Sequence, residues 1–384
     1  MFRRNRTNVS DRRYLPPDLC IDNILPRLPV KTLFVCRAVC RTWRAVIDDP
    51  AFASKHFKLS TNNRDKKKVL AIEKIGLNGY DGCNLTLRRA DTLRRCANIY
   101  KTYGTYRLSV RCNGLVFVKD NTTNLKVWNP SIRKSLTVPM CPLVTGHHIV
   151  NYLFGFRPST NDYVIYAFSV EYDGKPVRSS TVAVYTMSDD RWRIKDNKMS
   201  LPSWLFKSSD EPMCDGKSVY LNGAVYWLRF DNNERDAHKR TCLISFDFNL
   251  GKFGFLGVPD YHPKFACTTY RILFAFNGTL ALFCISLINN LIWVLKDRVW
   301  GLLFSGRSSA AGYSYIRDHL DVITKLFYFD ADGITLVFGK VCYKLVTDEI
   351  KPITKSVNSR LILDTYLESM VLHRGCQNQI LTHF

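Results

Sequence analysis

Side chains able to do chemistry are thinly spread along the 384 residues. Two carboxylate pairs, Asp189-Asp190 and Asp330/Asp332, could share general-acid and general-base work. Both fall in stretches that read as hairpin turns, where an aspartate ordinarily caps its own backbone. Cys36 and Cys40 are four apart, which could align two thiolates on a helix, but no second pair of ligands is present downstream. His147-His148 would point to opposite faces of a strand. No G-x-G-x-x-G or G-x-x-x-x-G-K motif offers a phosphate cradle, and no H-E-x-x-H or G-x-S-x-G motif is present. The segment Gly306-Arg307-Ser308-Ser309-Ala310-Ala311-Gly312 is a loop of small residues. The seven tryptophans could stack bases or sugars. Trp192 and Trp227, however, lie in strand patterns, which favours core filling. The expectation is a protein with no catalytic residue, no metal and no cofactor.

Composition narrows the classes further. With 46% hydrophobic and 13% aromatic residues the chain can bury a full core and is not disordered. Lys plus Arg is 55 against 33 for Asp plus Glu, a net charge of +22. Residues 1–70 hold 16 basic and 6 acidic side chains, so +10 sits in the first fifth and +12 in the rest. A basic surface can bind nucleic acid or an anionic membrane. No helix or loop places five basic residues on one face, which favours solubility with an acidic protein partner. Nucleic-acid binding stays as the alternative function. The apolar region at 280–295 is interrupted by Cys284, Ser286, Asn289 and Asn290, which argues against a membrane span. The start, Met1-Phe2-Arg3-Arg4-Asn5-Arg6, lacks an apolar signal core. The 13 cysteines show no disulfide rhythm and read as reduced thiols of a cytoplasmic or nuclear protein, not a secreted one.

Read in order, residues 1–13 form a basic tail without periodicity, expected to be disordered. Leu15-Pro16-Pro17-Asp18 then opens a helix, with proline tolerated in the first turn. Leu19, Ile21, Ile24, Leu25 and Leu28 continue at helical spacing until Pro26 and Pro29 stop it. Leu33, Cys36, Val39, Cys40, Trp43, Val46 and Ile47 form one further stripe, with Lys31, Arg37, Arg41 and Arg44 between them. Asp48-Asp49-Pro50 ends it, and Phe52 and Phe57 lie in a short tail. A module of this size, spanning 14–58, buries too little to stand alone and suits helix-in-groove binding to a partner. The polar, charged linker at 59–68 is read as separating the module from the remainder of the chain.

From residue 69 the periodicity switches to two. Short Val-, Ile-, Tyr-, Phe- and Leu-rich runs at 115–118, 125–128, 163–170, 182–187, 218–221, 224–230, 243–248, 272–276, 291–295, 326–329 and 335–338 are bounded by turn residues. Residues 361–371 are ambiguous between helix and strand. A weak repeat pairs aromatics seven residues apart, Tyr185 with Trp192 and Phe246 with Phe253, with Phe329 and Leu336 as a third case. Trp128-Asn129-Pro130-Ser131 opens a similar turn. The predicted architecture is a small all-α module followed by an all-β domain over 69–375, an irregular kelch-like β-propeller, with a tail at 376–384. A pair of packed sheets is the second choice.

These segments carry a resemblance. The residues from Leu15-Pro16-Pro17-Asp18-Leu19 through Leu28-Pro29-Val30-Lys31 and Cys40-Arg41-Thr42-Trp43-Arg44 to Asp49-Pro50-Ala51-Phe52 resemble a three-helix F-box. The later chain is similar to the F-box-associated domain of the large plant F-box family. The similarity rests on Cys112-Asn113-Gly114-Leu115, Val127-Trp128-Asn129-Pro130-Ser131-Ile132-Arg133-Lys134, Phe154-Gly155-Phe156, Asn222-Gly223-Ala224-Val225-Tyr226-Trp227-Leu228 and Ile244-Ser245-Phe246-Asp247. The resemblance implies a substrate receptor of an SCF-type ubiquitin ligase. A Skp-family adaptor, joined to a cullin, would then be bound by Leu15, Pro16, Leu19, Ile24, Leu28, Val39, Cys40 and Trp43, with Arg37, Arg41 and Arg44 at the rim. The β-domain would hold an unknown target protein.

Overall fold

A computed structural model describes residues 16–62, 68–77, 80–89, 94–103, 107–119, 124–144, 149–170, 177–196, 199–202, 218–230, 241–259, 270–286, 288–307, 314, 326–330, 333–338, 341–344, 349–352, 361–366 and 368–371. The basic tail at 1–13, Leu15, the His147-His148 pair, Asp332 and the tail at 376–384 lie outside the described residues.

The amino-terminal module starts with α1 (Pro17–Leu19), a π turn (Cys20–Ile24) and a 3-10 turn (Leu25–Arg27). Leu28 is extended and Pro29 starts the next helix, because proline blocks a continuous one. Then come α2 (Val30–Cys36), α3 (Arg41–Ile47) and α4 (Pro50–Asn62). The single apolar stripe of the sequence is thus divided. Cys40, at φ −155°, is extended, and its Sγ accepts from the Trp43 N–H as the N-cap of α3. The break leaves Val39 and Cys40 in a turn rather than on a helix face. Asp49 caps α4 through the Ala51 N–H at 2.8 Å, and that helix replaces the expected short tail. Its apolar positions are sparse, so the pattern alone understated it.

The rest is β. Among the described residues there are six antiparallel sheets, each built on a path of four strands. Blade 2 contains β4 (Arg107–Cys112), β5 (Leu115–Lys119), β6 (Leu125–Asn129) and β7 (Lys134–Val138). Blade 3 contains β8 (Ile149–Arg157), β9 (Asp162–Val170), β10 (Val177–Thr186) and β11 (Arg191–Ile194), with β12 (Met199–Pro202) pairing the other end of β10. Blade 4 is β13 (Val219–Leu221), β14 (Ala224–Phe230), β15 (Thr241–Asp247) and β16 (Lys252–Gly257). Blade 5 is β17 (Tyr270–Phe276), β18 (Thr279–Ile285), β19 (Asn289–Lys296) and β20 (Val299–Arg307). Blade 6 is β21 (Leu326–Asp330), β22 (Gly333–Phe338), β23 (Val341–Lys344) and β24 (Glu349–Pro352).

Blade 1 joins the two ends of the domain. It comprises β1 (Lys68–Leu77), β2 (Tyr80–Arg89) and β3 (Arg95–Tyr103), and its remaining strand is β25 (Leu361–Tyr366), antiparallel to β1. The first part of the ambiguous segment, Leu361–Tyr366, is therefore a strand. The strand β25 lies beside β21, as β4 lies beside β8 and β13 beside β17, so the last described strand takes the inner position of the first blade. The architecture is a propeller rather than two packed sheets, and each blade keeps one outer edge strand.

Local chemistry explains the repeat. Asn113-Gly114, Asn222-Gly223 and Asn277-Gly278 join the first two strands of blades 2, 4 and 5. Both residues of each pair have positive φ, which asparagine tolerates and glycine favours in a two-residue hairpin. The seven-residue aromatic spacing marks the hairpin between third and fourth strands: Tyr185 lies opposite Trp192 and Phe246 opposite Phe253. The third case is out of phase, since Phe329 lies opposite Ile334 in the first hairpin of blade 6. Trp192 and Trp300 have a further role. Each is the second residue of an outer strand, and its ring N–H reaches a carbonyl at or just beyond the preceding blade's outer strand, Pro139 at 2.8 Å and Gly257 at 3.0 Å.

Aromatic rings fill the seams between blades. Phe117 stacks on Phe154 across blades 2 and 3, with centroids 5.7 Å apart. Phe246 meets Tyr166 edge-on at 4.8 Å across blades 3 and 4. Arg157 spans the same seam, donating to the Phe248 carbonyl and the Tyr166 hydroxyl, each at 2.9 Å.

Candidate functional site

The helical module has two apolar surfaces. One is sealed. Leu25, Val30, Leu33, Ile47 and Phe52 are buried together with Met370 from the far end of the chain. Ile21, Leu28, Phe34, Cys36, Trp43, Val46, Ala53 and Ile132 pack around them. The other is open. Leu19 is 41% exposed, Ile24 38%, Val35 69% and Val39 64%. Pro16 and Cys40 are exposed as well.

Of the residues expected to meet a partner, Pro16, Leu19, Ile24, Val39 and Cys40 are thus presented to solvent. Leu28 and Trp43 instead lean on the module's own core. Val35 is exposed too, and sequence reading passed over it because it sits between two core positions, Leu33 and Cys36. Arg37 has a different role from the one expected. Its Nε and Nη2 bond Asp48 Oδ1 at 2.6 Å and Oδ2 at 3.0 Å, a forked pair that ties the end of α2 to the end of α3. That partner holds the Arg37 guanidinium above its ordinary range. Arg41 and Arg44 remain exposed as rim cations.

The sealed surface is a joint between module and propeller. Its strap is the segment just after β25, the end of the stretch 361–371 that the sequence leaves ambiguous. The Glu368 carboxylate accepts from the Val30 N–H at 3.1 Å, at the start of α2, where Pro29 provides no side-chain cap. The Asn129 side chain is fully buried and donates to the carbonyls of Ser369 at 2.9 Å and Val371 at 2.6 Å. Ser131 Oγ bonds the Tyr366 hydroxyl and accepts from the Ser369 N–H at 3.1 Å. Burial raises the Tyr366 phenol. On the helical side His56 is 2% exposed, with Nε2 2.9 Å from the Leu28 carbonyl. Desolvation holds the imidazole below its ordinary range. The helices therefore pack on their own chain as well as facing solvent, because the core of so small a module needs Met370 and Ile132 to complete it.

Of the candidate carboxylates, Asp189 and Asp190 sit in structural roles. Asp190 accepts from the Tyr185 hydroxyl at 2.7 Å, and Asp189 pairs with Arg193 at 2.7 Å on the same turn. Cys36 and Cys40 are separated in role, one packed on the module core and the other capping α3. Burial raises the thiols of Cys112 and Cys141 and pushes that of Cys284 up to about 12, so these three are held as thiols.

Comparison with known proteins gives concordant matches. Residues 15–55 match the F-box domain model, and residues 88–300 match the model described as the F-box associated beta propeller domain. An F-box/kelch-repeat protein of Arabidopsis thaliana is 25% identical over 366 residues, which is 91% of this chain and 94% of that protein. A putative F-box only protein of the same plant is 24% identical over 251 residues, 64% of this chain and 62% of the relative. Another putative F-box protein from it is 25% identical over 273 residues, covering 67% and 68%.

Proposed function

Because the chain belongs to the F-box associated beta propeller family and carries an F-box ahead of the propeller, we propose that it is the substrate-recognition subunit of an SCF-type ubiquitin ligase. In this reading residues 14–58 dock a Skp-family adaptor, which joins the cullin, and residues 69–375 present the target protein. The observation that carries it is the open face of a module whose other face is already sealed. Leu19, Ile24 and Val39 stay exposed although Met370 and Ile132 cover the neighbouring core. Exposed aliphatic anchors with a basic rim fit the groove of an acidic helical adaptor.

The chemistry asked of this chain is positional. Held near a charged conjugating enzyme, a target lysine meets the thioester at a raised effective concentration. Such a gain depends on geometry, and the strap supplies it by mounting the module on the propeller through buried hydrogen bonds rather than through the linker alone. A reducing cytoplasmic or nuclear setting suits the buried thiols.

The test is adaptor binding by the purified full chain. Leu19→Ala with Val39→Ala should weaken it by at least about tenfold, on the order of 1.4 kcal/mol, with the unfolding midpoint unchanged. Unweakened binding would count against the reading.

A further inference from the structure

The outer strand of blade 5 differs from those of the other blades. β7, β11, β16 and β24 have between four and six residues. Each carries charge, as at Lys134, Arg191, Arg193, Lys252, Glu349 and Lys351, and β24 adds Pro352. β3 has nine residues but includes Arg95 and Lys101. These are the usual devices that keep a sheet edge from pairing with a stranger. β20 has nine residues and no charge before its last, Arg307. Val299 is 68% exposed, Leu302 52% and Leu303 49%. Among the described residues only β19 pairs with it and no strand covers its far edge, where backbone donors and acceptors lie beside apolar side chains.

We propose that this edge receives an extended segment of the target protein by strand addition, the segment having apolar residues in its middle and acidic residues at its ends. Charge selects that occupant. The strand is bracketed by exposed cations, Lys296 and Arg298 before it and Arg307 at its end, with Asp297 the one acid among them. A second copy of the chain pairing antiparallel would set Arg307 of each strand against the Arg298 end of the other, and opposed like charges disfavour it. A segment ending in Asp or Glu reverses the sign of both contacts. Backbone pairing supplies affinity in this mode, and alternate side chains supply selectivity. The inference rests on the receptor reading for its occupant, and the geometry of the edge stands apart from the F-box.

The experiment selects short random peptides, displayed on phage, against the full-length protein. The selected peptides are then synthesised and titrated against three proteins at low and high salt. These are the wild type, Leu302→Lys with Leu303→Lys, and Arg298→Glu with Arg307→Glu. The expected peptides have apolar centres and acidic ends, lose about tenfold or more in affinity on either variant, and bind more weakly as salt rises. The charge-reversed protein should instead prefer peptides with lysine ends. Three results would overturn the proposal. They are selection of no peptide, selected peptides that bind both variants undiminished, and a wild-type dimer abolished by the paired lysine substitutions. All substituted positions are exposed, and an unchanged unfolding midpoint confirms the fold. Adaptor binding measured on the same samples separates the two readings: loss of it strikes the ligase assignment, while peptide failure with adaptor binding intact strikes only the edge.

Discussion

The Glu368 carboxylate accepts a hydrogen bond from the Val30 backbone N–H across 338 residues of sequence. One of the last described residues thus caps the first helix after the proline break. The preceding residues, Leu361–Tyr366, close the propeller on β1, so ring closure and the seating of the helical module share one short segment.

Breaking that cap should loosen the module before the propeller. Glu368→Ala is expected to cost on the order of 1 kcal/mol, the ordinary value of an N-cap. Met370→Ala removes a buried side chain from the module core and should cost about 2–5 kcal/mol. Hydrogen exchange checks both: amides of α2 and α4 should lose protection while those of β9 keep theirs. Equal loss throughout would mean the strap is not specific to the joint.

His56 predicts a pH dependence with a definite sign. Burial depresses its folded-state pKa below the ordinary 6.5. The unfolded chain therefore binds a proton that the folded chain refuses as pH falls below 6.5. Stability of the module should be full above that value and decline on acidification toward the folded pKa. His56→Gln should flatten this decline at the cost of the bond to Leu28. Unfolding midpoints of both proteins across the acidic range settle it, and identical slopes would remove His56 as the cause.

Gly155 is expected to be intolerant of any side chain. A Cβ there would come within 2.1 Å of the Phe248 ring, which lies across the seam between blades 3 and 4. Gly155→Ala should destabilise by about 1–3 kcal/mol, the range for overpacking. Phe248→Ala alone opens a cavity, and the double variant should be more stable than the sum of the two singles predicts. Strict additivity in denaturant titrations would contradict the contact.

Arg37, Arg41 and Arg44 should separate in experiment. Arg37→Ala breaks the fork to Asp48 and should lower stability by at most about 1 kcal/mol, since both partners are partly solvated. Arg41→Glu with Arg44→Glu should leave stability alone and slow adaptor association, more at low salt than at high. Stopped-flow association rates with thermal melts distinguish the effects. A rate unaffected by the double charge reversal would take the rim role away from those residues.

Much of this protein was written locally. The switch from helical to alternating periodicity, the proline breaks and the Asn-Gly pairs specify helices, strands and hairpins, because each depends on neighbours within a turn or a strand. The aromatic spacing of Tyr185 with Trp192 likewise reported a real hairpin. Leu19, Ile24 and Val39 could be named as candidates for docking from the same pattern. The pattern could not say which apolar residues stay open. Leu28 and Trp43 fit the stripe as well as Val39 does, and only the packing of Met370 and Ile132 decides that they turn inward. Nothing near Asn129 in sequence foretells its bonds to Ser369 and Val371, and nothing near Val30 foretells Glu368. Those contacts join residues more than two hundred positions apart, so they exist only once closure brings the chain's ends together. Short-range physics wrote the elements into the sequence, and long-range closure decided which surfaces remained for a partner.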